Sequence, residues 1–244
     1  MRIEIISTIN GTRGIFACKM AGVVAAAFLI IATGTVASAA VDGMGNFSFG
    51  VRAGGFLIPN AKNFYVAYNN TNNNGITYYE VSESDETSGG GFPFVRLGFT
   101  EKLGLEVEYG KEDGPKVYKT INNISTTGVY REEIGKMSIS TLSGSVVYMF
   151  RSEGFTPYIK AGLLRGEVEL SSLPGSFDTG LGWLAGGGIE VAGRRFSLSL
   201  DVFYRNLTNK YNKATDRTVV AGEFVPSKID LSGFGITGGV IFKF

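Results

Sequence analysis

Eight stretches of this chain alternate apolar with small or polar residues at period 2, placing one set on each face of an extended strand. The most regular is the last, residues 231–244. There Phe234, Ile236, Gly238, Val240, Phe242 and Phe244 share one face, and Gly235, Thr237, Gly239 and Lys243 lie on the other with Ile241. The strand ends on an aromatic residue. An edge strand in water is normally blunted by charge or proline, so exposed aromatics at this end point to an apolar solvent.

The other seven stretches repeat the pattern. Residues 46–57 place Phe47, Phe49, Val51, Ala53, Gly55 and Leu57 on one face. Residues 92–100 and 103–110 form a hairpin across Glu101 and Lys102, with Arg96, Glu106 and Glu108 on its polar face. Residues 136–150 and 155–165 form a second, joined by a short turn. In 136–150, Met137 and Ile139 have the opposite parity to Val146, Tyr148 and Phe150, which predicts a β-bulge near Leu142 or Gly144. Residues 179–192 and 196–206 make a third pair, with Phe203 the one aromatic on the polar face of 196–206.

Connection lengths alternate as well. Three connections are short, whereas 58–91, 111–135, 166–178 and 207–229 are long. An up-and-down meander puts alternate connections at opposite ends, and short turns at one rim with long loops at the other is the outer-membrane pattern, short turns periplasmic. Phe47, Phe99, Phe150, Phe155, Phe196, Phe242 and Phe244 then fall at the short-turn rim, where an interfacial aromatic girdle belongs. The long loops are polar, with Asn69, Asn70, Asn72, Asn73, Asn74, Asn122 and Asn123, and read as solvated and mobile. Glu83, Asp85 and Glu86 form an acidic group without the fixed spacing of a cation site.

Residues 1–39 read as a cleavable signal peptide: Arg13 and Lys19 flank an apolar run over residues 20–33, and Ala37-Ser38-Ala39 supplies small residues for cleavage before Ala40. That run is short of the ~20 residues needed to span a bilayer. Residues 40–244 form the barrel domain. A chain without helical spans can still live in lipid if its strands close and satisfy every backbone group. The expected fold is all-β: an eight-stranded antiparallel up-and-down transmembrane β-barrel.

The chain contains no His, which removes the commonest general base, the Ser-His-Asp arrangement and most zinc or copper sites. Its one Cys, Cys18, lies in the leader, so the exported domain forms no disulfide. No basic run points to nucleic acid. No enzyme activity, cofactor or metal is expected.

The inward faces carry Arg96, Glu106, Glu108, Lys160, Glu190, Asp201 and Arg205, interleaved with Gly98, Gly104, Gly162, Gly182, Gly186, Gly188 and Gly235. An eight-stranded barrel has room only for its own side chains. Unpaired charge in so narrow a space costs several kcal/mol. The expectation is an ion network plugging the lumen; the alternative is that the same residues line a narrow conduit for small solutes.

Signal peptide, alternating strands, loop asymmetry and terminal Phe together resemble the OmpA/OmpX-type bacterial outer-membrane β-barrels over essentially all of residues 40–244. The resemblance implies a bacterial outer-membrane location, contact with lipid and lipopolysaccharide, and a monomer. It also implies an assembly signal in Phe244, Phe242 and Val240, read by the barrel assembly machinery, and a structural or adhesin-like role with an unknown loop ligand. No peptidoglycan-binding segment follows, so wall tethering is not expected. The enzymes among the barrels of that membrane require a catalytic His, which is missing here. Refolded into detergent, residues 40–244 should run at different gel mobility before and after boiling. Unchanged mobility, together with solubility in plain buffer, would contradict the barrel.

Overall fold

The computed structural model describes residues 47–70, 75–81, 86–123, 129–150, 154–170, 175–192, 196–213 and 228–244. The expected signal peptide and the acidic residues Glu83 and Asp85 lie outside them. So do Asn72, Asn73 and Asn74. The chain forms β1 (Phe47–Leu57), β2 (Tyr65–Asn70), β3 (Gly75–Val81), β4 (Thr87–Gly98), β5 (Leu103–Asn123), β6 (Val129–Met149) and β7 (Phe155–Glu169). There follow β8 (Gly175–Phe177), β9 (Gly180–Ala192), β10 (Phe196–Asn206), β11 (Thr208–Lys213), β12 (Lys228–Asp230) and β13 (Gly233–Lys243).

Eight of these strands close into a ring. The order β5-β4-β1-β13-β10-β9-β7-β6 is antiparallel throughout, and pairing of β6 back onto β5 leaves no open edge in the wall. The seam joins the first strand to the last, from Ser48↔Lys243 to Leu57↔Phe234. Short connections join β4 to β5, β6 to β7 and β9 to β10. In the first of them Thr100 Oγ1 accepts from the amides of Lys102 and Leu103 at 3.2 and 2.9 Å. This small hydroxyl satisfies donors that the tight turn would otherwise leave free.

The outer wall is apolar. Leu163 and Leu181 are 75% and 79% exposed, and Val51, Val146, Ile159 and Val202 each stand more than half exposed. A continuous belt of this kind would aggregate in water, and lipid is the solvent it fits. At the short-turn rim Phe47, Phe49, Phe242 and Phe244 pack on one another across the seam. Toward the opposite rim Trp183, Tyr204 and Phe234 make a second aromatic row. From Phe242 to Phe234 on β13 the strand runs roughly 26 Å, which a tilt of about 40° reduces to roughly 20 Å across the membrane. No helix among the described residues is long and apolar enough to cross a membrane.

The expected bulge near Leu142 or Gly144 is absent. β6 pairs without interruption from Asp113↔Ser138 to Leu103↔Tyr148 on one side and from Ser138↔Glu169 to Met149↔Tyr158 on the other. Met137 and Ile139 keep the inward parity and are fully buried. The change is in the interior, which turns from polar to apolar along the strand. Register shifts lie farther out, between Asp113 and Lys116 and between Val117 and Tyr118. At the second, Gly135 adopts φ 138°, a backbone conformation open to glycine.

The long connections also differ from solvated loops. β5 and β6 continue as a hairpin of 21-residue strands, β2 and β3 add to the outer part of β5, and β8, β11 and β12 form a small sheet. Together they enclose an apolar core of Ile58, Phe64, Val117, Met137, Leu207 and Ile229 with their neighbours. Asn69 and Asn70 lie in β2, Asn122 and Asn123 in β5. Burial of this core supplies the driving force that a polar loop lacks. On the expected orientation, short turns toward the periplasm, Tyr130→Cys on the outer part of β6 should react with an impermeant thiol reagent on intact cells, and Lys102→Cys should react only after lysis. Reversed labelling would exchange inside and outside.

Candidate functional site: the charged lumen

Arg52 sits at the centre of the barrel interior, with none of its side chain exposed. It projects inward from β1. Its Nη1 donates to Glu106 Oε1 at 2.8 Å and to Glu108 Oε2 at 2.6 Å, and its Nη2 donates to Glu106 Oε2 at 2.9 Å. Its Nε lies 3.0 Å from Asp201 Oδ2, a close ion pair without hydrogen-bond alignment. The guanidinium also lies over the Phe94 ring, 3.7 Å from its centroid. One cation from β1 thus ties together carboxylates of β5 and β10, across the ring.

Around it the other charges interlock. Arg96 Nη2 is 2.7 Å from Glu106 Oε2, and its Nη1 donates to Glu190. Lys160 Nζ stands 3.2 Å from Glu106 Oε1 and 3.4 Å from Asp201 Oδ1. The Tyr158 hydroxyl donates to the same Asp201 oxygen at 2.5 Å. Four buried carboxylates therefore face three buried cations. Lys243, 43% exposed at the mouth, lies 3.5 Å from Glu190 Oε2 and supplies the fourth positive charge. Bare backbone makes room for these long side chains: a Cβ at Gly239 would stand 2.7 Å from Arg52 Cγ, and one at Gly188 2.7 Å from Tyr158 Oη.

Arg205 belongs to a separate group. Its Nη1 pairs with Glu112, a residue outside the sequence-derived set, and its Nε donates to Leu231 O at 3.1 Å. Ser88 Oγ donates to the second Glu112 oxygen at 2.5 Å. The Arg205 guanidinium lies 3.7 Å from the centroid of Phe56. Phe56 in turn packs edge-on against Phe92 and Phe203, so an aromatic layer stands between the two charged groups. Phe203, odd for its polar face in the sequence, is a member of that layer.

Sequence reasoning missed Arg52 and Glu112. Arg52 lies at an inward position of residues 46–57, so the alternation itself carried the signal. Glu112 lies beyond residue 110, where the expected strand stopped. Elsewhere, Glu86 pairs with Lys62 at 2.7 Å on the surface. No cluster of three or more His, Cys, Asp or Glu suited to a metal occurs among the described residues.

Two cavities border the network. One, of ≈ 340 Å³, opens at the short-turn rim and reaches Arg96, Glu190 and Lys243. The other, of ≈ 20 Å³, lies between the charged groups and touches both Glu108 and Arg205.

In comparisons with known proteins, no family model matches this chain and no curated protein does. Solved structures do. The outer membrane protein OprG from Pseudomonas aeruginosa is similar at TM-score 0.53 and 11% identity, over 84% of this chain and 99% of that one. Neisserial surface protein A gives TM-score 0.46 at 15% identity, over 82% and 97% of the two chains. Ail, the attachment invasion locus protein of Yersinia pestis, gives 0.39 at 12% identity, over 84% and 100%. The fold is that of an eight-stranded bacterial outer-membrane β-barrel such as OprG. Its apolar belt and paired aromatic rows fit a barrel whose wall faces lipid.

Arg52→Ala removes the cation shared by three buried carboxylates. Its cost, read as a shift in urea midpoint of the refolded barrel, should be about 3–5 kcal/mol. Lys243→Ala, at the wet mouth, should cost less than about 1 kcal/mol.

Proposed function

We propose that this protein is a small structural and surface-interaction barrel of the outer membrane, closed to general solute flow. The observation that carries the reading is the stacking inside the lumen. An interlocked ion network centred on Arg52 lies toward the short-turn rim, the Phe56, Phe92 and Phe203 layer stands above it, and an apolar core fills the opposite end. The ≈ 340 Å³ vestibule ends at Arg96 and Glu190. An ion entering from that side meets charges already paired and then a wall of aromatic rings, where dehydration costs far more than any contact returns.

In this reading Arg96, Glu106, Glu108, Lys160, Glu190, Asp201 and Arg205 are structural plugging residues, joined by Arg52 and Glu112. Residues 1–39 are the export signal and residues 40–244 the barrel domain. Phe244, Phe242 and Val240 on β13 are the signal read by the barrel assembly machinery. Lipid and lipopolysaccharide surround a monomer. The ordered platform built from β2, β3 and the outer parts of β5 and β6 presents the surface to an extracellular ligand. A lumen without His, its carboxylates engaged in ion pairs, supports a non-catalytic role.

Purified protein in a planar bilayer should give little or no steady conductance. Arg52→Ala, in the fraction that folds, should be leakier. Steady conductance by the wild type, with the variant altering mainly ion selectivity, would replace this reading with a narrow conduit.

A further inference from the structure

The two charged groups of the lumen approach each other at the ≈ 20 Å³ cavity, the space of about one water molecule. Its polar lining consists of Glu108, Arg205, Thr141 and Ser143; the rest is apolar, including Phe92 and Phe203. Arg205 is 2% exposed and uses Nε and Nη1 for Leu231 and Glu112. Its Nη2 is buried and has no hydrogen-bond partner among the described residues. On the other side, Glu108 accepts from Arg52 through Oε2, leaving Oε1 as an acceptor.

We propose that this cavity is a binding site for a single water molecule, which bridges Glu108 to Arg205 Nη2 and joins the Arg52 network to the Arg205–Glu112 pair. The chemistry selects water. A cation would sit against the unpaired edge of a guanidinium, and an anion would sit against Glu108, with Glu112 just beyond. Water both donates and accepts, so it can donate to Glu108 and accept from Arg205. The Thr141 and Ser143 hydroxyls complete the two to four partners a buried water requires. With it in place, polar contacts run without a break from Glu190 at the vestibule through Arg96, Glu106, Arg52 and Glu108 to Arg205 and Glu112. The aromatic layer is thereby crossed at one point, by a bound molecule and not by an open path.

Two measurements test the site. In a crystal structure of the refolded wild-type barrel at a resolution that shows solvent, one ordered water should lie within hydrogen-bond distance of both Arg205 Nη2 and a Glu108 oxygen. Its absence there would overturn the proposal. The second is urea unfolding of Ser143→Val, which places methyl groups where the water sits. A bound water predicts a midpoint lowered by roughly 0.5–1 M, because Arg205 Nη2 and Glu108 lose their shared partner. A midpoint unchanged or raised would mean that a dry cavity had been filled, and would overturn the proposal. If Ser143→Val does not fold, the wild-type structure decides.

Discussion

A guanidinium with no exposed surface, in the middle of a lipid-embedded barrel, has to be neutralised by its own protein. Arg52 meets that requirement with Glu106, Glu108 and Asp201, drawn from β5 and β10 while Arg52 itself stands on β1. Because these strands lie on different parts of the ring, the pairs form only when the barrel is closed and in register. A one-residue slip would turn every inward charge toward lipid and every outward leucine into the lumen. The network therefore ties register and closure of the barrel to one set of contacts. Buried ion pairs are weak evidence for net stability, since desolvation offsets most of their attraction. Their strength here is conditional: each partner is costly to leave alone.

The interior is layered in a way that suits the solvent at each end. Toward the short-turn rim, water reaches Arg96, Glu190 and Lys243 through the vestibule, and charge is tolerable there. At the opposite end the strands extend past the lipid belt and enclose an apolar core, in which Ile58, Val117, Leu207 and Ile229 are fully buried. A thin membrane barrel has little room for a core of its own. This one obtains a conventional core by lengthening β5 and β6, adding β3 and β2 beside β5, and setting the β8, β11 and β12 sheet beside β7 and β9.

Much of the barrel wall is legible in the sequence because lipid and lumen impose opposite demands on alternate residues. The pattern of 196–206 matches β10 residue for residue, and connection lengths alone separate the two rims. Alternation also places Arg96, Glu106 and Asp201 on the inner face, but it says nothing of partners. Asp201 and Arg205, four residues apart on one strand, fall in different groups because the Phe203 layer separates them. The outer platform was not legible for a related reason. Once both faces of a strand are away from lipid, alternation no longer reports inside against outside, and Met137 and Ile139 look like a break in register. Polar tracts rich in Asn gave no hint that β5 and β6 continue through them. Their order comes from burying residues contributed by distant segments.

The central claim is that the lumen charges act as one coupled unit, and a double-mutant cycle on Arg52 and Glu106 tests it most directly. Unfolding midpoints of the refolded barrel would be compared for wild type, Arg52→Met, Glu106→Gln and the double variant. Coupling predicts that each single change is far more damaging than its share of the double change, with an interaction energy of about 3 kcal/mol. Additive costs, within about 0.5 kcal/mol, would mean that the two side chains are independent and that the network does not hold the barrel together.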